Sequence, residues 1–213
     1  DLIFSRASLL VSELGTRPMK IQSQTFERLV LGQLFETTGP REGQDLLDHY
    51  IAVIEGKTGS LIAAAGEYGS LLSGASEEVI SMVKAYGELV GVAFQLADDV
   101  IDIVSDGKTS GKTRGTDLRE GVPTLPTILL DRAVAAGDES AIAVRALLDA
   151  DLSSDEALET AVEALAAHPV TQEAWQIAYD WADRAIAAIA PLPESTAKAA
   201  LESFAHAVVH REG

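Results

Sequence analysis

Apolar residues recur every three or four positions along nearly the whole chain, and no stretch alternates apolar with polar as a half-buried strand does. A first helix is predicted over about 1–14, stopping at Gly15 close to Pro18. A second covers about 19–37, with Ile21, Phe26, Leu29, Val30 and Leu34 along its apolar side, until the run TGPREG breaks it. A third runs from near Gln44 to Glu55, is interrupted at Gly56, and resumes after KTGS toward Leu72. Ser76 is placed to cap the next helix, with Glu77 and Glu78 in its first turn at the positive end of the dipole. That helix extends to about Val104 and is apolar on nearly all sides, which predicts a central, buried element. Gly87 and Gly91, one turn apart, would let a neighbour pack closely against it. The segment EGVPTLPTILL opens a further helix reaching about Ala136. From Gly137 onward the alanine-rich remainder reads as three or four more, with APLPES separating the last two. No repeat or long linker divides the chain. The pattern predicts one all-α domain over residues 1–213, a bundle of roughly eight to ten helices.

Composition narrows the function classes. With 47% hydrophobic residues among 213, the chain can build a real core. A formal net charge of −17 argues against a nucleic-acid surface, which needs basic patches to neutralise phosphates. There is no cysteine, so disulfides and thiolate metal sites are excluded, and the chain suits a reducing, cytoplasmic setting. Apolar runs such as LIAAAG and VGVAF fall far short of the ~20 residues that span a bilayer, so no stable membrane insertion is expected. The opening DLIFSRASLL carries no secretory signal and reads as a helix already under way.

The candidate chemistry lies in the middle of the chain. FQLADDVID sets Asp98, Asp99 and Asp102 at i, i+1 and i+4 on the central helix, where i and i+4 share a face. Three carboxylates so placed repel one another unless cations sit between them. Oxygen-only ligation with few protein ligands suits Mg²⁺, which keeps waters and takes substrate phosphates. A solvated acidic patch is the bland alternative, but the apolar flanks (Val92, Phe94, Leu96, Val100, Ile101) leave little of the helix to face water. Gln95, one turn earlier, shares the face of the aspartates. Directly after them comes SDGKTSGKTRGTD, from Ser105 to Asp117. Its glycines allow backbone amides to approach phosphate oxygens, and Lys108, Lys112 and Arg114 supply charge. The spacing is not that of a Walker loop, so a nucleotide triphosphatase is not supported. A second candidate is GKTGS, where Lys57 and Thr58 at a helix break could present an ammonium, a hydroxyl and freed carbonyls. The four histidines are scattered; His206 and His210, at i and i+4, read as surface residues. Trp175 and Trp181 read as packing residues.

GVAFQLADDVIDIVSD, followed by GKTRGTDLREGVPTLP, closely resembles the trans-type isoprenyl diphosphate synthases, or polyprenyl synthetases, and includes their second aspartate-rich motif. GKTGSLIAAA matches their lysine–threonine helix break, DLIFSRA resembles the helix after their first aspartate-rich motif, and VVHREG resembles their usual end. The resemblance covers essentially the whole chain. It implies an isoprenoid-synthase-type bundle of antiparallel helices around a deep apolar cavity. It also implies Mg²⁺-dependent head-to-tail condensation of an allylic diphosphate with isopentenyl diphosphate, by a homodimer. Under it, Asp98, Asp99 and Asp102 would hold Mg²⁺, and Lys57 and Lys112 would contact the diphosphate. Thr58 and Gln95 would line the place where carbocation charge develops. The family's first aspartate-rich motif and the basic residues for isopentenyl diphosphate would precede Asp1, which leaves half of an active site here. Two other readings stay open: a non-catalytic partner subunit of a heteromeric synthase, and a terpene cyclase. The intact second motif weighs against the first. The absence of an Asn/Ser/Glu triad in its place weighs against the second.

Overall fold

The computed structural model describes residues 2–105 and 114–210. Among them all regular structure is helical and no strand occurs. The elements are α1 (Leu2–Ser12), α2 (Thr16–Thr38), α3 (Leu46–Ile54), a π-turn (Glu55–Gly59) and α4 (Ser60–Leu72), followed by α5 (Glu77–Val104) and α6 (Thr116–Glu120). Then come α7 (Leu125–Ala135), α8 (Glu139–Leu148), α9 (Asp155–Ala167), α10 (Pro169–Ile189) and α11 (Thr196–His210). The periodicity locates all of these except α6. That helix is a single turn between Gly115 and Gly121, both left-handed at φ 72° and 69°. One turn is too short to leave a periodic pattern.

The helices begin where polar side chains can satisfy their first backbone donors. Asp45 accepts from Leu47 N (2.9 Å) and Asp48 N (3.0 Å) at α3, and Asp138 accepts from Ser140 N (2.8 Å) and Ala141 N (3.1 Å) at α8. Ser154 accepts from Ala157 N (3.2 Å) at α9. Bonds from the Ser140 hydroxyl and from the α8 backbone hold the Asp138 carboxyl below its ordinary range.

The chain divides into two compact units, Asp1–Val92 with Ala182–Ala205, and Ala93–Trp181 with His206–Gly213. In the first, α1 folds back on α2 about Gly15, and the Phe4 and Phe26 rings lie 4.7 Å apart. Ile21, Val53, Ile54, Ala63, Ile80 and Val90 are among its buried residues. Tyr86 is also buried, and its hydroxyl donates to Leu201 O (2.7 Å), joining α5 to α11. Burial pushes this phenol up to about 12. In the second unit, Leu96, Val100, Ile103, Leu125, Ile128, Leu130, Leu158, Val162 and Leu165 are buried. Gly115 packs so tightly that a methyl there would lie 2.3 Å from Val162 Cγ2.

Helix α5 is largely covered, as the pattern predicts. From Tyr86 to Ile103 a single residue, Asp98, stands exposed. Among the described residues α5 is also the one helix long and apolar enough to cross a membrane, with a mean hydropathy of 1.3. A buried core helix meets the same length and composition.

Candidate active site

The first group of predicted residues sits where α3 gives way to α4. Residues Glu55–Gly59 form a π-turn, whose wider spiral interrupts the α-helical ladder and is a frequent mark of functional sites. Two glycine contacts hold this turn. A methyl at Gly91 of α5 would lie 2.7 Å from Gly59 Cα, and one at Gly56 would lie 3.0 Å from Gly32 Cα of α2. The close neighbour expected at Gly87 and Gly91 is therefore the π-turn and α4, with Ala63 Cα against Gly87. The buried Ser60 hydroxyl donates to Gly56 O at 2.6 Å, satisfying one carbonyl loosened by the bulge.

Lys57 and Thr58 occupy the middle of the turn and are partly exposed. Lys57 Nζ lies 2.6 Å from Glu36 Oε2 of α2. Beside them, Arg28 Nη1 reaches Glu88 Oε1 at 2.5 Å, and Arg28 Nη2 makes a long contact of 3.5 Å with Glu55 O. The Glu55 carboxyl is pushed above its ordinary value, first by burial and then by the charge of Glu88, with Arg28 and Arg184 partly opposing.

The second group lies on the C-terminal half of α5, within the second unit. The three aspartates stand in three different environments: Asp98 is exposed, Asp102 is half-buried, and Asp99 is 4% exposed. Asp99 Oδ2 accepts from Leu125 N at 2.8 Å, and Gln95 Nε2 approaches Asp99 Oδ1 at 3.5 Å. Asp102 is bound through its backbone, where Gly115 N donates to its carbonyl at 2.9 Å, and its Oδ2 lies 3.4 Å from Asp117 N. No group of three or more acidic or histidine side chains among the described residues is already gathered to hold a metal. Asp98 and Asp102, one turn apart, could still hold Mg²⁺, which needs few protein oxygens beside water and phosphate.

Some of the site had no signal in the sequence. Arg114, counted there with the phosphate-binding charges, donates through Nε to Ile103 O at 2.5 Å and pairs with Glu159 at 3.0 Å. It caps the end of α5. Glu36 and Arg28 come to the π-turn, and Leu125 to the aspartates, only through folding, since each is more than 20 residues from its partner. Lys108 and Lys112 lie outside the described residues.

Residues 1–165 match the polyprenyl synthetase family. The chain belongs to that family. All 213 residues align with the nonaprenyl diphosphate synthase of Mycobacterium tuberculosis at 38% identity, covering 63% of that protein. They align with the octaprenyl diphosphate synthase of Escherichia coli at 32% identity, covering 65% of it. The polyprenyl synthetase fold is equally plain. A crystal structure of the geranylgeranyl pyrophosphate synthase from Corynebacterium glutamicum, complexed with calcium and isoprenyl diphosphate, matches the whole chain with a TM-score of 0.86. Identity there is 39%, and the match covers 65% of that chain. This member of the polyprenyl synthetases thus spans slightly under two thirds of the relatives it matches.

Proposed function

We propose that the protein containing this chain is a Mg²⁺-dependent trans-prenyltransferase that condenses an allylic diphosphate head-to-tail with isopentenyl diphosphate to a (poly)prenyl diphosphate. The observation that carries this reading is the placement of Asp98. It is the one exposed residue in the long covered span of α5, with the half-buried Asp102 one turn further on. The calcium and isoprenyl diphosphate in the Corynebacterium glutamicum relative support a cation–diphosphate pairing in this fold.

Asp98 and Asp102 would hold the metal against the allylic diphosphate. Magnesium, when bound, would neutralise charge on the departing diphosphate. Lys57 would add a second cationic contact. Its present partner, Glu36, is a partly exposed pair of a kind worth only about 0–1 kcal/mol, so a diphosphate can displace it cheaply. Thr58 and Gln95 would present oxygen dipoles toward developing positive charge, and Lys112 would contact the diphosphate. The apolar residues around Asp98 would limit the water that quenches an allylic cation. The cysteine-free composition supports a cytoplasmic setting. A homodimer is supported by the apolar stripe Met19, Phe26, Val30 and Leu34, exposed along α2.

The test is turnover of the full-length protein with an allylic diphosphate and labelled isopentenyl diphosphate. Asp98→Ala should lower kcat by about a hundredfold or more at saturating Mg²⁺, because charge stabilisation of this kind is worth several kcal/mol. Near-wild-type turnover would remove Asp98 from the mechanism.

A further inference from the structure

We infer that the aspartates of the DDVID run divide their labour: Asp99 is a positioning residue that latches the start of α7 to α5, and Asp98 with Asp102 forms the metal-holding pair. This deepens the prenyltransferase reading and rests on it for the metal half only.

The first turn of α7 shows why a carboxylate is needed there. Four backbone positions at a helix start lack intrahelical acceptors. Pro126 has no N–H to satisfy. Ile128 N bonds Thr124 O at 3.0 Å, and the Thr124–Thr127 capping box serves the third position. The remaining donor is Leu125 N, on a residue with no exposed surface, and it points to Asp99 Oδ2 at 2.8 Å. Thr124 and Thr127 are buried as well, so water has little access to this turn. A carboxylate at a helix N-terminus is further favoured by the dipole.

The same contact makes Asp99 a poor metal ligand. One oxygen is committed to Leu125 N, and the other faces Gln95 Nε2 at 3.5 Å. At 4% exposure, Asp99 also has little space beside it for the waters and phosphate oxygens that complete a Mg²⁺ shell. Asp98, one residue earlier, is exposed and has room for a metal's waters and a phosphate. Through Gln95 the latch also orients a side chain proposed to face the cation.

Three variants test the division: Asp98→Asn, Asp99→Asn and Asp99→Ala. Asparagine keeps an oxygen for Leu125 N but loses the charge a metal needs. Mn²⁺ binding is followed by electron paramagnetic resonance with inorganic diphosphate, and unfolding is followed in EDTA. Asp99→Asn should bind Mn²⁺ within about threefold of wild type, whereas Asp98→Asn should weaken it on the order of tenfold or more. In EDTA, Asp99→Ala should lower Tm by about 2–12 °C, as expected for a buried donor left without a partner. Asp99→Asn should lower it much less, and Asp98→Asn should not lower it. An Asp99→Ala chain that fails to fold while Asp99→Asn folds and binds metal supports the latch. Loss of Mn²⁺ binding by Asp99→Asn equal to that of Asp98→Asn overturns the division. A wild-type Tm for Asp99→Ala in EDTA overturns the latch. Wild-type Mn²⁺ binding by Asp98→Asn overturns the metal pair, and turnover in Mg²⁺ against EDTA decides the prenyltransferase reading apart from it, while the Tm comparison decides the latch.

Discussion

Glu55 opens the π-turn with a carboxylate that the fold half-buries beside Glu88, and the two charges share Arg28. Its pKa is raised above the ordinary 4.5, so the folded state holds this proton more tightly than the unfolded chain does. Ionised, the group costs stability. That cost is present above the raised folded pKa and disappears as pH falls through it toward 4.5. Glu55→Gln should therefore raise Tm at neutral pH, with the gain shrinking to nothing below about pH 4.5. A lower Tm for the variant at neutral pH would mean that attraction to Arg28 and Arg184 outweighs burial. Residue roles were only partly legible in the sequence. Lys57 and Thr58 announce themselves by breaking a helix, but Glu36, 21 residues before Lys57, carries no mark of being its partner. Adjacent Asp98 and Asp99 look alike as letters; only burial and Leu125 N tell them apart.

At the scale of elements, the π-turn is wedged between α2 and α5 by glycines on both sides. Gly91→Ala would set a methyl 2.7 Å from Gly59 Cα, a backbone atom that cannot swing aside. Overpacking of this kind costs typically about 1–3 kcal/mol. Urea unfolding of Gly91→Ala should show a midpoint shifted down by a corresponding amount, and an unchanged midpoint would show that α5 can retreat without loss. The pairing of Gly87 and Gly91 was legible as a site of close approach. The identity of the neighbour was not, because helical periodicity describes one helix at a time. The same limit explains α6, whose single turn is set by two left-handed glycines rather than by any apolar pattern.

Across the whole molecule, the apolar surface is concentrated on α1 and α2. Ile3 is 86% exposed and Leu34 51%, and Met19, Phe26, Val30 and Leu34 recur at seven, four and four residues along α2. That spacing keeps them on one face, the usual mark of a helix seam. With a second copy as the proposed occupant, Val30→Glu combined with Leu34→Glu should convert a dimer to a monomer in light scattering. A double variant of unchanged particle mass would place the dimer contact elsewhere and leave this stripe to another covering segment.

The sequence by itself determined the all-α architecture, the approximate bounds of the helices up to about Ala136, and the DDVID and GKTGS runs, because each rests on local spacing and capping that a chain carries in its letters. It also carried the family, through the motif around Asp98. Only the tertiary structure decided what those residues do to one another: that Asp99 serves the start of α7, that Arg114 closes α5, and that Glu36 holds Lys57. These are contacts between segments distant along the chain, and the burial that assigns each carboxylate its role exists only after the helices have packed.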